Sequence, residues 1–196
     1  MISLWASTSL DEWTQALARY DNVISRQKGA ALPALDRWYQ HEFPQDIAAR
    51  AVPHVTHDEL VRLTEWKMAR GVWREPNLIL VRGNAPKRVV EVSSTAFAMS
   101  PHPTMPVETI GTLAGVGPAT ASAAVSAYEP ARYPFFDELV AAQIPSLGKV
   151  AWTHGYYARY ATALRQQAQQ LANGWTPAMV ERALWAHVGG KARLST

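Results

Sequence analysis

The sequence of 196 residues predicts an all-α protein. Apolar residues recur three or four positions apart behind recognisable helix caps, which is the spacing of one helix face. No segment alternates between apolar and polar residues as a half-buried strand does. Because 48% of the residues are hydrophobic and no repeat is present, we expect one globular domain over residues 1–196.

The N-terminal part of the chain predicts two helices. A capping box at Ser9–Glu12 opens the first helix, which extends to about Arg26. The second helix spans about residues 33–42, and Phe43-Pro44 ends it, because proline interrupts helical hydrogen bonding.

The middle and C-terminal parts continue the helical pattern. A second capping box at Thr56–Glu59 opens a helix that stops at Gly71. Thr176 caps the last helix. The remaining predicted helices cover residues 76–81, 85–99, a helix pair within about 106–128, a helix that starts at 137, and helices over 154–172 and 177–188.

Composition excludes several classes of protein. The chain contains no cysteine, which excludes disulfides, thiolate zinc sites and cysteine-ligated iron–sulfur clusters. The sequence shows neither a signal peptide nor a membrane-spanning stretch, so we expect a cytoplasmic monomer without membrane contact. The net charge is +3, and basic residues concentrate in residues 61–90. This basic segment lines a nucleic-acid groove or forms an ordinary solvated face.

The most informative segment runs from Ile110 to Val125 and predicts two helices joined by a glycine turn. Gly115 and Gly117 allow a tight turn and bring backbone N–H groups close to an anion, because they carry no Cβ. Pro118 suits the first position of the second helix, and the small residues that follow permit close packing. A helix N-terminus of this kind suits a phosphate group.

This segment resembles the hairpin of the helix-hairpin-helix DNA glycosylases, the superfamily of endonuclease III, the adenine-mismatch glycosylase and the alkyladenine glycosylases. The family's hairpin is Leu-Pro-Gly-Val-Gly, and an aspartate follows it. Here Leu113–Gly117 and Asp137 stand at the matching spacing, with Ala114 in place of the proline. The resemblance covers about residues 104–145, with the motif at about 106–128. It implies two helical lobes around a cleft, with the N- and C-terminal helices sharing one lobe.

Asp137 is the candidate catalytic residue. Hydrolysis of the bond between a base and its sugar requires a group that stabilises a sugar cation and supplies water, and one carboxylate can do both. The aromatic residues Tyr133, Phe135 and Phe136 can exclude water, and a helix start supplies N–H donors that keep a carboxylate ionised. The alternative is that Asp137 only caps a helix.

The resemblance assigns backbone roles to the hairpin. The groups that would face a DNA phosphate are the amides of Gly115, Gly117 and Ala119 and the hydroxyl of Thr120. The groups that would hold a monovalent cation, K⁺ or Na⁺, are the carbonyls of Gly111, Leu113 and Val116. No other cofactor is expected.

One position bears on the type of reaction. Family members that also cleave the DNA strand carry a lysine where this chain has Ala119, and that lysine forms a Schiff base with the sugar. The resemblance therefore implies a monofunctional enzyme, and the lack of cysteine excludes the iron–sulfur cluster that some family members carry. Lys67 and Lys149 are alternative amines.

A base pocket is predicted in the segment from Glu65 to Arg74, where tryptophans and cations interleave. A flipped base needs flat apolar walls and hydrogen-bond donors for its edge. The candidate pocket residues are Trp66, Lys67, Arg70, Trp73, Tyr133 and Phe136. The alternative is that the tryptophans belong to the core and the cations to the surface.

Together these features predict a DNA glycosylase that flips a damaged or modified base out of double-stranded DNA and leaves an abasic site. A DNA-binding module without catalytic activity, in which Asp137 is structural, is the alternative from a different class. A further possibility concerns purpose: the substrate is a hypermodified base of phage DNA, such as a modified cytosine, and the enzyme serves antiviral defence.

Overall fold

The computed structural model describes residues 3–171 and 174–191. The described residues form helices and no strand, which confirms the predicted all-α class. The α-helices are α1 (Leu10–Ala18), α2 (Tyr20–Ser25), α3 (Leu32–Arg37), α4 (Phe43–Ala49), α5 (His57–Arg70), α6 (Glu75–Arg82), α7 (Pro86–Ala98), α8 (Met105–Ile110), α9 (Pro118–Tyr128), α10 (Glu138–Ala141), α11 (His154–Leu171) and α12 (Pro177–His187). A π-helical turn spans Trp38–Glu42, and short 3₁₀ turns span Leu4–Ala6 and Pro145–Leu147.

The helix predicted over residues 10–26 is two helices. The hydrogen-bond ladder is interrupted at Arg19, whose N–H donates to the carbonyl of Ala16, three residues back. Ser9 caps α1 as predicted, because its side chain accepts the N–H of Glu12. The reciprocal bond of a full capping box is replaced by one from the Ser9 N–H to the Ser7 hydroxyl.

The predicted helix end at Phe43-Pro44 is wrong. The chain passes from α3 through the π-helical turn directly into α4, and the Phe43 N–H bonds to the carbonyl of Trp38, five residues back. Pro44 occupies one of the first two positions of α4. A proline is tolerated at a helix start because the N–H that it lacks has no partner within the helix there.

The predicted caps of α5 and α12 are confirmed. Thr56 and Glu59 form both bonds of a capping box at the start of α5, and the Thr176 side chain accepts the N–H of Met179 in α12. The helices from the two ends of the chain meet, since α1 packs against α12. Each of the two helices buries a whole tryptophan, Trp13 and Trp185.

Helix α9 lies in the interior. All residues from Ala119 to Ala127 are buried, and the helix packs against α4, α5 and α8. Small side chains permit this because they let neighbouring backbones approach closely. The N-terminal end of α9 is thereby held in a fixed place beside the C-terminal part of α5. In residues 3–171 and 174–191, no helix is both long enough and apolar enough to cross a bilayer.

Candidate active site

A cavity of about 330 Å³ lies between the C-terminal part of α5, the first turn of α9 and the segment that leads into α10. Its walls carry chemically distinct groups. They include Lys67, Arg74, Gly117, Thr120, Phe136, Asp137, Glu138 and Trp152. The cavity therefore combines carboxylates, cations, a helix N-terminus and aromatic rings.

The two glycines of the turn between α8 and α9 have different structural roles. Gly115 has a φ of +74°, and a Cβ placed there would lie 2.5 Å from the carbonyl oxygen of Asn77 in α6. Gly117 has extended backbone with a φ of −90°, and a Cβ there would have no described atom within 4 Å. Protein packing explains the glycine at 115. The surface above Gly117 is open to a ligand.

The side chain of Asn84 fixes the same turn. Its amide group donates to the Ala114 carbonyl at 2.9 Å, and its carbonyl oxygen accepts the Ala114 N–H at 3.0 Å. The same amide group donates to the Val81 carbonyl at the end of α6 at 2.9 Å. Asn84 therefore ties the turn to α6. Sequence reasoning did not identify this residue, although an asparagine directly after a helix end is a typical capping signal.

The first turn of α9 presents backbone donors to the cavity. Pro118 starts the helix, and no side chain of the described residues caps it. Ala119 and Thr120 follow as buried residues of the cavity wall. The N–H groups of a first helical turn have no partner within the helix, and the helix dipole makes this end electropositive. This end of the cavity suits an anionic group.

Asp137 lies in the cavity wall with 7% of its surface exposed. Its Oδ1 accepts the N–H of Leu139 at 2.8 Å, so it is the N-cap of α10, as the sequence suggested. Its Oδ2 lies 3.4 Å from Nε of Arg70. Both carboxylate oxygens therefore have protein partners, while one edge of the group still faces the cavity.

Helices α9 and α11 hold the strip that precedes Asp137. The hydroxyl of Tyr160 donates to the Phe135 carbonyl at 2.7 Å, and the Phe136 N–H donates to the Ser122 hydroxyl at 2.9 Å. The ring of Phe136 packs against that of Trp152 with their centroids 4.9 Å apart. These contacts place Asp137 at the cavity independently of its own capping bond.

Two of the residues predicted for a base pocket line this cavity, namely Lys67 and Phe136. Burial lowers the pKa of Lys67, and the nearby charge of Arg74 acts in the same direction. The Lys67 ammonium lies 5.8 Å from the ring centroid of Trp152. Arg70 lies behind the cavity wall, fully enclosed, and contacts Asp137.

The structure places the other three predicted pocket residues elsewhere. Trp66 is fully buried in the core, stacked on Tyr39 at a centroid distance of 3.6 Å. Tyr133 is also buried, and its hydroxyl donates to the His102 carbonyl at 2.8 Å. Trp73 is half exposed and lines a separate cavity of about 460 Å³. The hydrophobic effect explains the first two positions, because large rings gain most when they are wholly removed from water.

Trp152 and Glu181 are residues of interest that sequence reasoning missed. Trp152 is 46% exposed although it lines the cavity, and a tryptophan in a loop is a signal that could have drawn attention to it. Glu181 is fully buried and pairs with Arg70. It lies in the interior of a helix pattern, where a glutamate is usually solvated, so no local signal identifies it.

Three carbonyls were predicted to bind a monovalent cation. Gly111 directly follows α8, and Leu113 and Val116 come next in the turn. The Leu113 carbonyl accepts the Val116 N–H at 3.2 Å, which leaves it a second lone pair. The Gly111 carbonyl lies at the C-terminal end of α8, where the helix dipole is negative.

Comparison of the chain with protein-family models, with curated proteins and with solved structures gives no match.

Proposed function

We propose that this protein is a monofunctional DNA glycosylase that uses Asp137 to hydrolyse the bond between a flipped base and its sugar in double-stranded DNA. One observation carries the proposal. Asp137, which the resemblance to the family singles out, shares one cavity with the first turn of α9. A carboxylate for the sugar and backbone donors for a phosphate therefore lie side by side.

The reaction places a positive charge on the sugar as the base departs. A carboxylate at about 4 Å stabilises such a charge by about 4 kcal/mol at an effective dielectric constant near 20, which corresponds to about a thousandfold in rate. Asp137 can also orient the water that attacks the anomeric carbon. The partly exposed ring of Trp152 offers a flat wall for the base.

In this proposal the glycine turn and the first turn of α9 bind the DNA backbone. The amides of Gly115, Gly117 and Ala119 and the side chain of Thr120 would contact a phosphate. A monovalent cation at the carbonyls of Gly111, Leu113 and Val116 would bridge the turn to the same strand. Ala119 carries no amine, so the proposed product is an abasic site in an intact strand. The proposed enzyme acts as a monomer.

A DNA-binding module without catalysis is the second candidate function. The observation that favours it is the pairing of both oxygens of Asp137 with Leu139 and Arg70, as expected of a purely structural N-cap. The two functions differ in product, because only the enzyme generates abasic sites.

The deciding experiment compares wild type with Asp137→Asn on duplexes that carry uracil, alkylated purines, oxidised purines or modified phage cytosines. Asparagine keeps the oxygen that caps α10 and loses the charge, so we expect loss of base release of about a thousandfold with DNA binding intact. Glu138→Gln is the matched control, because Glu138 is the adjacent carboxylate in the same cavity wall. Thermal melting of both variants verifies their folding.

The outcomes separate the candidates. Wild-type release of a base that is lost only in Asp137→Asn supports the enzyme. Equal release by both proteins contradicts the role of Asp137, and tight DNA binding without release of any base favours the binding module. Preference for phage DNA with modified cytosines assigns the enzyme to defence rather than repair.

A further inference from the structure

Arg70 lies directly behind Asp137 and is enclosed by the protein. It is the last residue of α5, and only 2% of its surface is exposed. Its guanidinium contacts two carboxylates. Nε lies 3.4 Å from Oδ2 of Asp137, and Nη2 donates to Glu181 of α12. A buried cation requires such partners because burial removes its hydration.

A relay of hydrogen bonds fixes the other side of the guanidinium. Nη1 of Arg70 donates to the hydroxyl of Tyr20 at 3.0 Å, and this hydroxyl donates to Asp36 at 2.9 Å. The indole N–H of Trp66 donates to the same Asp36 oxygen at 2.8 Å. Because the one proton of Tyr20 is used on Asp36, the lone pairs of its oxygen face Arg70. The orientation of Arg70 is thus set by α2, α3 and α12.

Aromatic rings complete the enclosure of Arg70. The guanidinium carbon lies 4.4 Å from the ring centroid of Trp185 and 5.1 Å from that of Phe135. Such contacts stabilise a cation through the electron-rich ring faces. They also leave the guanidinium little room to turn, so its Nε stays beside Asp137.

Of the guanidinium nitrogens of Arg70, Nε is the one that lies beside Asp137. Among residues 3–171 and 174–191 it has no acceptor at hydrogen-bond geometry, and contacts between catalytic groups often shorten only when a substrate binds. Burial raises the pKa of Glu181 to about 8, although Arg70 acts in the opposite direction. Glu181 is engaged by Nη2, so Nε remains beside Asp137.

We propose that Arg70 is a positioning residue of the candidate active site, which fixes the orientation of the Asp137 carboxylate, and that Glu181 and Tyr20 hold Arg70 for this task. The proposal rests on the proposed function. Together with the Leu139 N–H on Oδ1, Arg70 on Oδ2 prevents rotation of the carboxylate. The edge that faces the cavity then remains the same before and during the reaction.

Two substitutions of Arg70 test the proposal. Arg70→Lys keeps a positive charge and loses the directed Nε–H, so we expect kcat to fall about 100-fold with little change in DNA affinity. Arg70→Met also removes the charge beside the Asp137 carboxylate, so kcat should fall further than in Arg70→Lys, again with little change in DNA affinity. Arg182→Met is the matched control, because its guanidinium donates to Gln40 instead of Asp137.

A second pair of variants serves if Arg70 cannot be replaced without unfolding. Glu181→Leu removes the acceptor that anchors Arg70, and kcat should fall while DNA affinity remains. Glu181→Gln restores an acceptor of the same shape and should recover most of the activity at neutral pH. Loss of DNA affinity in step with kcat, or no recovery by glutamine in a folded protein, contradicts the proposal.

One readout needs no substrate and so separates the two proposals. A double-mutant cycle measures in the free protein how strongly Arg70 acts on Asp137. The free energy of unfolding is compared for Arg70→Met, Asp137→Asn and the double variant, and we expect the two single losses not to add, because each removes the same contact. Additive losses overturn the role of Arg70 even if bases are excised. Non-additive losses in a protein that releases no base support Arg70 while the proposed function fails.

Discussion

The two glycines of the turn before α9 allow a matched comparison of stability. At Gly115 an alanine would have to keep a φ of +74°, and its Cβ would meet three atoms of α6 at 2.5–2.9 Å. Positive φ costs a residue with a Cβ about 1–2 kcal/mol, and overpacking adds about 1–3 kcal/mol. Two of the three atoms belong to the backbone, so rotation of a side chain cannot relieve the overlap.

Each substitution adds one methyl group, but we expect the two variants to differ strongly in stability. Gly115→Ala should lose about 3 kcal/mol in the free energy of unfolding, which lowers the melting temperature by about 6–12 °C in a domain of this size. Gly117→Ala should change stability by less than about 0.5 kcal/mol, because its φ of −90° suits alanine and its Cβ meets no described atom within 4 Å.

Thermal melting by circular dichroism, checked by urea titration, measures both values. If the two variants melt at the same temperature, the assignment of Gly115 to protein packing fails. DNA affinity completes the comparison: Gly117→Ala should weaken binding to all sequences alike at unchanged stability, because its methyl group lies where a phosphate would approach. Unchanged affinity would remove Gly117 from the DNA interface.

Two further predictions concern titration and covalent chemistry. Because burial raises the pKa of Glu181 from 4.5 to about 8, the folded protein holds a proton that the unfolded chain has released, so its stability should fall as the pH rises through this range. Glu181→Gln should flatten that slope in urea titrations, and identical slopes would contradict the assignment. Borohydride should trap no adduct with abasic DNA, because Ala119 has no amine. An adduct that disappears in Lys67→Ala would instead identify Lys67 as a nucleophile in the cavity.

The helices could largely be predicted from sequence because their signals are local. The capping box at Thr56 and the cap at Thr176 each involve residues within three positions, and both are present. Pro44 shows the limit of such reasoning. The helical path continues through Pro44, because a π-helical turn connects α3 to α4. Trp38 in this turn is buried.

The candidate site was predictable only in part. The family resemblance selected Asp137 and the glycine turn as candidates, and residues of both line one cavity. Trp66 and Arg70 were expected in a base pocket, yet both are buried. Both residues lie on α5, which is rich in tryptophan and cations. The sequence of such a helix does not show which of its faces the rest of the protein covers.

The sequence by itself determined the helical class and most helix starts, because these depend on residues close together in the chain. The tertiary structure alone decided what surrounds the Asp137 carboxylate. Arg70 and Glu181 are 111 positions apart, and a buried cation selects its partners by distance in space, where removal of water makes each charge costly unless it is paired. It also decided that Gly115 serves packing against α6 and that the space above Gly117 is open.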